Sequence, residues 1–89
     1  MGWRIEIDPS AEKELDKLGS VAAKQILTFL YGRLSTLDNP RSIGEALVGS
    51  KYGELRKYRV GNYRLIARIE DCEIQILVLQ IGHRREVYR

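Results

Sequence analysis

One cysteine, one histidine and two prolines stand among 89 residues, and that scarcity excludes several chemistries at once. Cys72 alone cannot close an intrachain disulfide, and with His83 as the single imidazole no cluster of metal-ligand spacing can form. A serine or cysteine nucleophile would need a histidine partner, and Cys72 sits in a predicted turn as a small filler. Apolar runs are short: Ile76 to Leu79 is the longest, far below what a bilayer requires. The first nine residues, MGWRIEIDP, alternate like a strand and lack the apolar block of a secretory signal. Gly49-Ser50-Lys51 has neither the upstream glycine nor the strand-to-helix setting of a phosphate loop. These absences point to a reduced, cytoplasmic protein with no metal, no cofactor and no membrane partner.

What is present is an ordinary globular balance, 44% hydrophobic and 30% charged, sized for one domain over residues 1–89. The net charge of +3 is unevenly spread. Met1 to Ser50 carries six Lys/Arg against seven acids, whereas Lys51 to Arg89 carries nine against five. Five cations and no acid fall between Arg56 and Arg68. Charge counts alone fit either a polyanion-facing surface or a solvated basic face.

Trp3 to Ile7 alternates as a first strand. Asp8-Pro9 reads as an N-cap with proline at the first helical position, opening a short helix that Gly19 stops. Ser20 is expected to cap a longer helix whose apolar stripe runs from Ala23 through Ile26, Leu30 and Leu34 to Leu37. A loop from Arg41 to Gly53 follows, with a helical turn expected near Ile43 to Leu47. Strands are expected over Leu55–Val60, Tyr63–Ile69 and Glu73–Ile81, with a polar tail after Gly82. The order β-α-α-β-β-β predicts an α+β domain, a helical hairpin packed on an antiparallel sheet.

Gly61-Asn62 is a two-residue hairpin signal, and it fixes a register. Val60 should oppose Tyr63, Arg59 Arg64, Tyr58 Leu65 and Lys57 Ile66. One face then carries Tyr58, Val60, Tyr63, Leu65, Ala67 and Ile69. The other carries Lys57, Arg59, Arg64 and Arg68, with Leu55 and Ile66 between them, and is expected to be uncovered. Arg59 opposite Arg64 is a like-charge pair that costs stability, a conflict understandable where a surface must meet an anion. The alternative is that the two guanidinium groups splay into water.

A cationic set with tyrosine and one histidine suits phosphodiester chemistry on RNA. Arginines stabilise a pentacovalent phosphorane by charge and forked hydrogen bonds. A lysine among arginines has its charged form disfavoured, which suits a base toward a ribose 2′-hydroxyl. An aromatic ring can grip a base by stacking. This reading requires the tail after Gly82 to swing His83, Arg84 and Tyr88 beside the basic face.

The segment from Lys57 to Ile66, KYRVGNYRLI, followed by Ile81 to Tyr88, IGHRREVY, resembles the RelE toxins of the RelE/ParE superfamily. The strand, the Leu18-Gly19-Ser20 helical hairpin and the Leu47-Val48-Gly49 loop extend the likeness over nearly the whole chain. The resemblance implies a microbial-RNase-like fold and metal-independent, ribosome-dependent cleavage of mRNA in the ribosomal A site by 2′-hydroxyl attack. It implies a cognate RelB-like antitoxin whose tail wraps the toxin, in a complex that binds operator DNA. By that resemblance Lys57 is the base or transition-state lysine, Arg64 the phosphate arginine, Arg84 the arginine near the leaving group and Tyr88 the stacking tyrosine. His83 falls where some members carry histidine in a His-Arg-x-x-x-Tyr pattern. Arg56, Arg59, Arg68 and Arg85 are expected to bind RNA or ribosome phosphates. One position departs: a further family lysine is Leu55 here. A ParE-like inhibitor of DNA gyrase, or a non-catalytic nucleic-acid-binding member, is the alternative on the same fold.

Overall fold

A computed structural model describes residues 2–47 and 55–83. Strand β1 (Arg4–Ile7) leads into helix α1 (Pro9–Leu18) through Asp8, whose carboxylate accepts the Ser10 backbone N–H, with Pro9 just inside the helix. Gly19, at φ 94°, ends α1 and precedes α2 (Ser20–Gly32), so Gly19 rather than Ser20 occupies the cap position of the second helix.

Helix α2 is shorter than its apolar stripe. It stops at Gly32 and gives way to a tight 3-10 turn over Leu34–Thr36. Polar side chains take over the backbone there: the Thr36 hydroxyl donates to the Arg33 carbonyl at 2.8 Å, and Ser35 Oγ to the Trp3 carbonyl at 2.7 Å. Leu34 still reaches the core, fully buried, because the turn keeps its direction. The expected helical turn near Ile43 is also displaced. Pro40–Ser42 forms the 3-10 turn, and Glu45–Ala46 forms a two-residue strand, β2.

The remaining strands are β3 (Leu55–Val60), β4 (Tyr63–Glu70) and β5 (Gln75–His83). Their order across the five-stranded sheet is β1-β5-β4-β3-β2. The hairpin register agrees with the sequence at every expected pair, from Val60 opposite Tyr63 to Lys57 opposite Ile66. The sheet is mixed rather than antiparallel, since β1 lies parallel to β5, with Ile5 opposite Ile76. Alternation of residues specifies a strand's faces but not its direction, and β5 had only that one edge left once β4 was paired.

Both helices cover one face. Ile26, Leu30, Leu34, Tyr58, Leu65, Ile76 and Val78 are buried there to 1% exposure or less. A β-bulge at Leu79 slips the β4–β5 register, so that Ala67 opposes Val78 while Ile66 opposes Gln80. Val78 and Ile81 are three residues apart, yet both are buried under the helices.

A cationic cleft over the edge of the hairpin

Lys57, Arg59 and Arg64 stand on the sheet face away from the helices, as the register requires. That face is less bare than expected. Leu55 and Ile66 lie among the cations yet are only 8% and 3% exposed. Ile66 is flanked by Lys57 across β3, by Gln80 across β5 and by Arg64 and Arg68 along its own strand, so long aliphatic stems surround it. Arg59 alone among the basic hairpin residues is exposed; Lys57 and Arg64 are half-buried.

These three residues share an open cleft of about 620 Å³. Phe29 of α2 and Arg33, the residue after its last turn, form another wall, and Ile43, Gly44 and Glu45 form its rim. Gly44 has a required conformation. It sits at φ 78°, and a Cβ there would lie 2.7 Å from the Lys57 carbonyl oxygen and 2.7 Å from the Tyr58 ring. Its close approach lets Glu45 pair with Lys57 across β2 and β3, with the two charged groups 3.9 Å apart. Among the described residues Glu45 is the one acid lining the cleft, and Arg33 is a cation that charge counting along the hairpin could not assign to it.

The segment before β2 is strapped to the sheet. Tyr58, 1% exposed, donates its hydroxyl to the Pro40 carbonyl at 2.7 Å. Burial pushes the Tyr58 phenol above its ordinary range, partly offset by the Arg56 and Arg41 guanidinium groups. Arg56 donates to the carbonyls of Ile43 and Gly44 at 3.0 to 3.2 Å. Arg41 forms a forked pair with Asp71, whose carboxyl is held below its usual range mainly by that hydrogen bonding.

The other expected site residues divide. Arg56 lies on the helix-side face opposite Ala67, with its guanidinium committed to the rim backbone. Arg68 stays on the basic face but pairs with Glu70 at 3.3 Å and does not line the cleft. His83 belongs to β5 rather than to a tail, and the bulge sends it to the helix side, where its ring meets Tyr63 edge-on at a centroid distance of 6.2 Å. In a regular strand His83 would stand on the basic face, so the single extra residue Leu79 decides its side. Arg84, Arg85 and Tyr88 lie outside the described residues. Among the described residues no cluster of three or more His, Cys, Asp or Glu is placed to hold a metal ion, and no helix is long and apolar enough to cross a membrane.

This fold occurs in known proteins. A family profile described as "ParE toxin of type II toxin-antitoxin system, parDE" matches residues 5–88. The chain belongs to the RelE/ParE superfamily of type II toxins. It is 31% identical to the mRNA interferase toxin RelE of Escherichia coli, over 99% of this chain and 92% of that one. It is 29% identical to toxin RelG of Mycobacterium tuberculosis, over 100% and 99% of the two chains. Among solved structures, the RelBE2 toxin–antitoxin complex of M. tuberculosis superposes with a TM-score of 0.82 at 26% identity, covering 97% of this chain and 95% of that one. The RelE-like toxin thus keeps the two-helix layer and sheet of its relatives.

Proposed function

We propose that this RelE-like toxin is a ribosome-dependent mRNA endoribonuclease. The observation that carries the reading is the meeting of Lys57, Arg59 and Arg64 in one cleft on the strand face opposite the core. The name mRNA interferase, borne by the E. coli relative, supports it. In this reading Lys57 Nζ takes the proton of a ribose 2′-hydroxyl as its oxygen attacks the adjacent phosphorus. Arg64 stabilises the phosphorane, and Arg59 holds a neighbouring phosphate. The P–O5′ bond breaks, leaving a 2′,3′-cyclic phosphate upstream and a 5′-hydroxyl downstream. Arg84 would neutralise the charge developing on the leaving oxygen, which takes its proton from water, and Tyr88 would stack a base.

A cognate antitoxin would neutralise the toxin, as RelB-like chains accompany the RelE chains of several structural relatives. An acidic antitoxin segment over Lys57 and Arg64 would make that affinity fall with salt. The ParE description of the matching profile favours one second reading, a gyrase inhibitor on the same scaffold.

The test is to add the purified protein to ribosomes stalled on a defined mRNA and map the ends by primer extension. A cut inside the A-site codon, with a cyclic phosphate on the upstream fragment, is expected. Intact mRNA together with loss of DNA supercoiling by gyrase would favour the second reading instead.

A further inference from the structure

The chemistry above leaves one wall of the cleft unused. Lys57, Arg59 and Arg64 belong to the outer face of the hairpin, whereas Phe29 of α2 and Arg33, the residue that caps its C-terminus, lie on the opposite side of the sheet. The cleft therefore passes over the edge of β3. Among the described residues that edge lies open past Lys57, because β2 pairs only with Arg56 and Lys57 and leaves Arg59 beyond its end.

Phe29 and Arg33 meet at the C-terminal end of α2, where the Arg33 backbone N–H donates to the Phe29 carbonyl at 3.1 Å, and both line the cleft. The Phe29 ring is half-buried and tilted against Tyr58 at a centroid distance of 6.0 Å, which fixes its plane while part of it lines the cleft. Arg33 is exposed at the end of α2, and among the described residues no carboxylate pairs with its guanidinium. A cation at a helix C-terminus is favourable in its own right, but that does not explain an aromatic ring one turn away in the same cleft.

A flat apolar ring beside a cation matches the alternation of base and phosphate in a single strand. We infer that Phe29 and Arg33 form a second nucleotide subsite, which stacks the base and holds the phosphate of a nucleotide flanking the scissile bond. The RNA then bends over the edge of β3, from the outer face at Arg64 to the helix side at Arg33. This inference rests on the RNA reading of the same cleft.

The test uses the whole protein and a short single-stranded RNA with a 2′-deoxy nucleotide at the cut position, so that binding is read without chemistry. Fluorescence anisotropy is measured across a salt series. Arg33→Gln should lower the slope of log affinity against log salt by about 0.7, one phosphate contact, and Arg33→Lys should restore it. Phe29→Leu should weaken binding about tenfold with the slope unchanged. Thermal melting of each variant shows whether it is folded, and the Arg33 series stands alone if Phe29→Leu is not. A wild-type slope in folded Arg33→Gln, with affinity lost in Arg59→Ala, overturns the subsite and leaves the RNA cleft intact. An effect of Arg33→Gln on an acidic antitoxin peptide but not on RNA overturns it too. A wild-type protein that does not bind the oligonucleotide at low salt overturns the subsite, whereas the cleavage reading is decided by primer extension on stalled ribosomes.

Discussion

Gly44 shows how one residue sets the geometry of the cleft. Its positive φ, and the 2.7 Å at which an added Cβ would meet backbone and ring atoms, leave no room for a side chain. Gly44→Ala should destabilise the fold by about 2 kcal/mol or more, from left-handed strain plus displacement of the β2 rim. Urea unfolding reads this as a lower midpoint with an unchanged slope. Titrating residues make a second statement at this scale. The carboxyls of Asp8 and Asp71 are held low, Asp8 by the Ser10 hydroxyl and backbone N–H and Asp71 by Arg41. Their contribution is present above the unfolded carboxyl value of about 3.9 and disappears as pH falls through their lower folded values. The Tyr58 phenol is shifted the other way, so its contribution is present below about pH 10 and lost as pH rises beyond that. Melting temperature against pH should therefore drop at both extremes. Asp71→Asn should flatten the acid limb; a limb unchanged in Asp71→Asn and Asp8→Asn alike would assign the acid loss elsewhere.

Elements differ in how openly the sequence announces them. The helical hairpin was legible because Asp8-Pro9 and Gly19 punctuate it, and the β3–β4 register because Gly61-Asn62 admits one pairing. The end of α2 was not, since Leu34 and Leu37 continue the apolar stripe while Ser35 and Thr36 redirect the backbone through bonds to Trp3 and Arg33. Nor was β2, whose two residues are held by contacts distant in sequence: Tyr58 to Pro40 and Arg56 to Ile43 and Gly44. Tyr58→Phe keeps the ring but orphans a buried carbonyl, which should cost about 1–3 kcal/mol. The loss should appear locally as faster amide exchange over residues 43–47, with α1 little affected. Exchange that rises equally in both would show that the strap is not a separate unit.

At the scale of the whole molecule, the basic second half of the chain becomes a cleft because three of the four cations on the outer face of the hairpin line it and Arg33, just past the end of α2, adds another around the edge. Lys57, Arg59 and Arg64 could be placed from spacing alone. Arg33 and Glu45 could not, because only tertiary packing carries them to the hairpin, and the bulge at Leu79 hid the side on which His83 lies. On the proposed function this cleft does chemistry rather than docking. The direct measurement is the single-turnover rate of mRNA cleavage at saturating ribosome complex, beside the affinity for that complex, in Lys57→Ala and Arg64→Ala. The rate should fall by about 10²-fold or more with affinity nearly unchanged, the signature of an interaction made in the transition state. Rate at saturation equal to wild type, with the whole loss in affinity, would contradict it.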